Sequence, residues 1–138
     1  MDMKKTLGAI VASFVVQYGG DYLLHGVILK STYADTADLW RSDADMMHRM
    51  WVLILAQVIF AIAAVLIYQR GVEKKAWIGQ GIRFGILLAL VAPLPNNMIW
   101  YVVVPMPHQL ALHSALGDGI LAILVGLVIA GICQPQQS

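Results

Sequence analysis

The chain has 138 residues, of which 59% are hydrophobic and 12% charged, with a formal net charge of +1 and a mean hydropathy of +0.73. Soluble domains carry about 25% charged residues, so a fold solvated on all sides is excluded. The near-neutral balance argues against a nucleic-acid partner, and the single Cys133 excludes an intrachain disulfide.

A membrane remains, and its hydrocarbon core takes about 20 apolar residues per helical crossing. Four runs reach that length, at about 6–29, 46–68, 77–104 and 110–133. The expectation is therefore all-α: one domain over residues 1–138, an integral membrane four-helix bundle running up-down-up-down.

In the first run, Lys4 and Lys5 stand ahead of "TLGAIVASFVV", as in a secretory signal peptide. No clear small-x-small cleavage site follows and the apolar character resumes past Asp21, so the run reads as a retained span. It continues as "VVQYGGDYLLHGVILK", where Gln17, Asp21 and His25 recur every four residues and share one helical stripe. A charged Asp at a helix centre costs about 2.5–3.5 kcal/mol in the bilayer, which turns this stripe toward the bundle interior or a water-filled cavity.

Residues 30–45, "KSTYADTADLWRSDAD", form the outer loop. Its last Ser and Asp residues suit the N-cap and acidic first turn of the second helix. That helix brings Gln57 slightly deeper than Asp21. The short turn "QRGVEKKA" makes helices two and three antiparallel neighbours.

On the third span Gly81, Gly85 and Ala89 recur every four residues, and Pro93 and Asn97 continue the row. Small residues allow the close backbone approach that associates helices in lipid. Within "VAPLPNNM", Pro93 and Pro95 lack an N–H and clash with the carbonyls of Ala89 and Val91, so a kinked third helix is expected. Freed carbonyls beside Asn96 and Asn97 resemble the broken helices of ion and substrate sites, although a packing kink accounts for the same prolines. Arg83, about 9 Å inside its span, is expected to snorkel to lipid phosphates. The fourth span repeats the small-residue row with Ser114, Asp118, Ala122, Gly126 and Ala130.

At 1.5 Å per residue, Asp21, Asn96, Asn97 and Asp118 each lie roughly 10–12 Å inside the outer end of their spans. Together with His25 they define a candidate pocket for a cation, a proton or a small solute. Asp21 and Asp118 also suit a carboxylate pair that shares a proton. His25, His48, His108 and His113 gather at the outer boundary beside Met46, Met47, Met50 and Met106, which makes metal or haem ligation a second candidate. No recognised ligand spacing supports it, and His48 and Gln57 face opposite sides of their helix. These residues name no particular cofactor and do not mark an enzyme. A third candidate is an accessory subunit of a larger membrane complex, its polar layer serving as interhelical glue. A full transport path through so few helices would call for a homodimer.

Lys4, Lys5, Arg70, Lys74 and Lys75 fall on one side and Lys30, Arg41 and Arg49 on the other. This bias puts both termini in the cytoplasm, with Trp40, Trp51, Trp100 and Tyr101 as outer interface anchors.

The strings "DYLLHGVILKSTY" and "LWRSDADMM", with "IWYVVVPMP" further on, resemble a family of small bacterial four-helix integral membrane proteins with no known activity. The likeness covers most of the chain and centres on His25-Gly26, Leu29, Tyr33, Trp40-Arg41 and Pro105-Pro107. It implies the architecture and a bacterial inner-membrane address, and it assigns no role to Asp21 or His25.

Overall fold

The computed structural model describes residues 2–134. Residues 135–138, whose side of the membrane belongs to the expected orientation, lie outside them. All regular structure among the described residues is helical. Helix α1, Met3–Asp21, starts at Asp2, whose side chain accepts from Lys4 N at 3.1 Å. It runs directly into a π-helical segment, Tyr22–Ile28, and Leu29 then turns the chain into the short α2, Lys30–Ala34. A 3₁₀ turn at Ala37–Leu39 leads to α3, Asp43–His48, and α4, Met50–Gly71. The rest is α5, Trp77–Val91, α6, Pro93–Val103, and α7, His108–Ile132.

Four stretches are long and apolar enough to cross a membrane: Met3–Ile28, Met50–Gly71, Trp77–Val103 and His108–Ile132. By that measure the chain is a multi-pass membrane protein. The second stretch starts at Met50 and not at residue 46. Ser42 caps α3 by accepting from Asp45 N at 3.3 Å, and the helix stops at Arg49 (φ −102°, ψ 4°). Asp45 pairs with Arg41 at 2.8 Å and Arg49 at 3.1 Å, so the Ser and Asp residues organise a separate polar helix and do not cap the apolar one.

Helix α7 packs against α1, α5 and α6, and α1 also packs against α4. The short turn does not make α4 and α5 close backbone neighbours; they meet chiefly through side chains, with the rings of Tyr68 and Phe84 5.2 Å apart. Glycine decides this. A Cβ on Gly126 would sit 2.5 Å from Gly81 O and 2.6 Å from Gly85 N, and one on Gly85 would sit 2.4 Å from Ile123 Cα. The α5 and α7 backbones therefore touch, which is how helices associate where no hydrophobic force draws them together. Helix α4 has no glycine before Gly71 and buries Ala61, Ala64 and Val65 instead, while α1 buries Ala9 and Ser13.

At the end of the bundle holding the 72–76 turn, buried Gln80 donates to the carbonyls of Glu73 and Lys75 at 2.9 and 2.8 Å and accepts from Glu73 N at 2.8 Å. Its polar atoms are satisfied, as burial requires. Arg83 is exposed and bonds back to Gly79 O at 3.3 Å, toward that same end. The third span is interrupted at Ala92 (φ −117°, ψ −79°), where Pro93 and Pro95 supply no N–H to the helical ladder.

Candidate functional site

The polar stripe of the first span divides at Asp21. Up to that residue the helix is α; from Tyr22 the wider i→i+5 pattern takes over, ending where Leu29 N meets Leu24 O at 2.8 Å. Asp21 stays beside α4: Gln57 Nε2 donates to its Oδ2, as does Gln17 Nε2 at 3.2 Å. His25, inside the π segment, turns to α7. Its Nε2 lies 3.1 Å from Asp118 Oδ1, and its Nδ1 lies 2.8 Å from Tyr33 Oη on α2.

Two glycines let α1 and α7 close around this contact. A Cβ on Gly117 would collide with Leu24 Cδ2 at 2.5 Å, and one on Gly20 with Leu121 Cδ1 at 2.2 Å. Each leucine occupies the space the opposite glycine leaves, so His25 and Asp118, the residues next to Leu24 and Gly117, come together.

The third span reaches the same point through its proline-rich half. Asn97 Nδ2 donates to Asp118 Oδ2 at 2.8 Å and to Pro93 O at 2.9 Å. All four spans thus contribute to one cluster, built from two hydrogen-bonded groups, with one possible metal-ligand atom from each of Asp21, His25 and Asp118 within 4.8 Å of the other two. No Lys or Arg takes part in it among the described residues. Two carboxylates face one imidazole without a fixed cation.

Toward the end of the bundle holding residues 30–45, the network opens into a cavity of about 260 Å³. His25, Tyr33, Asn96, Asn97 and Asp118 line it, with Trp40, Trp100, Met106, Leu110 and Ser114 completing the wall. Tyr33 stacks edge-on against Trp40, ring centroids 5.3 Å apart. Burial holds the Tyr33 phenol above its ordinary pKa. Asp21 is not part of the cavity wall; it lies deeper, beyond His25, between Gln17 and Gln57.

Of the expected residues, Asp21, His25, Asn97 and Asp118 come together, and Asn96 lines the cavity without a side-chain hydrogen bond among those described. The four-histidine ligand set needs correction. His48, His108 and His113 are all exposed, and none joins His25. His48 sits on the separate polar helix α3, and His108 pairs with the Tyr101 hydroxyl. His113 precedes Asp118 by five residues, about 140° around the helix. Tyr33, Trp40 and Ser114 were not anticipated as cavity residues. Only Ser114 carried a signal from spacing, one turn before Asp118 on the small-residue row.

No protein-family model matches the chain, and no curated protein or solved structure matches it.

Proposed function

We propose that this protein binds a cation from the extracytoplasmic side, in an intramembrane site formed by His25, Asn97 and Asp118 with Asp21 behind them. One observation carries the reading: two carboxylates share a cluster with an imidazole, inside stretches apolar enough to cross a membrane, with no Lys or Arg partner among the described residues. Charge in a low-dielectric setting is costly, and the His25–Asp118 pair can offset only one of the two carboxylates; such groups in membrane spans serve ion or proton pathways. A cation entering through the cavity removes that cost. The proposal includes an up-down-up-down bundle bent at Pro93 in its third span, with both termini cytoplasmic in a bacterial inner membrane. The Lys and Arg bias supports this orientation.

The test uses purified protein in lipid nanodiscs. Calorimetric titration with Na⁺, Mg²⁺ and Zn²⁺, and proton uptake between about pH 4 and 8, are compared for the wild type and an Asp21→Asn/Asp118→Asn variant. The wild type is expected to take up a cation or protons that the variant does not. Identical behaviour of the two proteins overturns the reading.

A further inference from the structure

Each of the three clustered side chains is anchored through one polar atom by a residue outside the cluster. His25 is held at Nδ1 by Tyr33, Asp118 at Oδ2 by Asn97, and Asp21 at Oδ2 by Gln17 and Gln57. Inside the cluster His25 Nε2 and Asp118 Oδ1 are hydrogen-bonded to each other, and the second oxygen of Asp21 carries no hydrogen bond among those described. The 3.1 Å separation of Nε2 and Oδ1 is that of a hydrogen bond and also that of neighbouring ligands around a metal with bonds of about 2.0–2.1 Å, so an ion that displaces the shared proton would find both atoms in place. Outer hydrogen bonds that fix a histidine's far nitrogen and a carboxylate's far oxygen are the usual support of a metal site.

A second observation points the same way. Gln57 is 9% exposed, and its Oε1 is buried without a hydrogen-bond partner although its Nε2 is bonded to Asp21. An orphaned acceptor on a residue bonded to the cluster calls for a hydrogen-bond donor or a cation. Charge selects its valence: two carboxylates and a neutral imidazole are neutralised by a divalent ion, whereas a monovalent one leaves an unbalanced charge in the membrane. The donors select its type, since a nitrogen ligand suits first-row transition metals while Mg²⁺ and Ca²⁺ prefer oxygen alone.

We infer that the cation of the proposed function is a divalent transition metal ion, bound by His25 Nε2 and the carboxylates of Asp21 and Asp118, with an open position facing the cavity. This rests on the cation-binding reading. Tyr33 and Asn97 orient its ligands. The cavity leaves room at the open position for water or a small ligand.

Zn²⁺ and Co²⁺ are the probes, added to chelator-treated wild-type protein in nanodiscs. One Zn²⁺ per chain and visible absorption bands from bound Co²⁺ are expected. His25→Gln and Asp118→Asn, which keep side-chain shape, should each lose at least about tenfold in Zn²⁺ affinity, and Asn97→Leu about 10–100-fold. A His48→Ala/His108→Ala/His113→Ala variant should bind as the wild type does. The inference is overturned if Zn²⁺ and Co²⁺ do not bind, or if the triple variant abolishes binding while His25→Gln leaves it intact. Should proton uptake or Na⁺ binding still depend on Asp118 when neither metal binds, the metal assignment falls and the cation-binding reading stands. If no cation binds at all, both fall.

Discussion

Asn97 and Asp118 are joined by a 2.8 Å hydrogen bond that crosses from the third membrane stretch to the fourth, just past the proline break. The same Asn97 amide nitrogen reaches back to Pro93 O, the first carbonyl of α6. The broken helix and the carboxylate are therefore tied through one side chain. Asp118 in turn faces His25, so a continuous chain of hydrogen bonds runs from the break to the first span.

Asn97→Leu removes the tie without adding charge. Interhelical hydrogen bonds in membranes average about 0.6 kcal/mol and reach about 1.7, so a stability loss in that range is expected from denaturation in mixed micelles. A loss confined to the α6–α7 region, seen as faster amide exchange there, would match the geometry. Unchanged stability and exchange would mean that the bond carries no net energy.

The α5–α7 contact gives a sharper contrast. Alanine at Gly85 or Gly126 must push backbone against backbone, with its Cβ 2.4 Å from Ile123 Cα or 2.5 Å from Gly81 O. Neither neighbour is a flexible side-chain end, so each substitution should cost about 1–3 kcal/mol, the usual range for overpacking. Gly19→Ala and Gly119→Ala meet nothing within 4 Å and should leave stability within about 0.5 kcal/mol of the wild type. Similar melting temperatures for all four variants would contradict the packing described.

Gln80→Leu tests the short turn. Three hydrogen bonds from one buried amide hold Glu73 and Lys75, and leucine would leave the Glu73 N–H and two carbonyls without their partner. Water can reach this end of the bundle, so the loss should lie near the lower part of the 1–3 kcal/mol range for an unsatisfied group. Limited proteolysis should cut within residues 72–76 faster than in the wild type.

The apolar runs were legible because the bilayer imposes a length, and Asp118 was legible because it interrupts a row of small residues. Helix pairing was legible only in part. The small-residue rows of the third and fourth spans mark the α5 and α7 faces that touch, whereas the brevity of the 72–76 turn suggested α4 beside α5, whose backbones do not approach closely. The π segment was invisible for another reason: "YLLHGVI" spans only seven residues and carries no proline, so no periodicity marks the widened turn. Depth along a helix placed four histidines at one boundary. It says nothing of direction around the helix, which is why only His25 reaches the cluster. Tyr33 depended on the sharp turn at Leu29, which no residue type announces.

Tyr33 offers a test with two readouts. Its hydroxyl lies 2.8 Å from His25 Nδ1, and burial, opposed in part by Ser114, raises its pKa above the ordinary 10.0. A raised value means that the folded chain favours the protonated phenol. The resulting stability is full below pH about 10 and is lost as pH climbs toward the folded value, because the unfolded chain ionises first. Tyr33→Phe cannot ionise, so its stability should fall less steeply above pH 10 than that of the wild type. At neutral pH the same variant leaves His25 Nδ1 without its partner, and Zn²⁺ affinity should drop about 10–100-fold, as for other outer-sphere changes. Alkaline unfolding followed by circular dichroism, and Zn²⁺ titration at pH 7, measure the two effects separately. A flattened alkaline profile with unaltered Zn²⁺ affinity would leave Tyr33 a buried phenol with no bearing on the site. Parallel alkaline profiles would show instead that the hydroxyl is not held in the buried position.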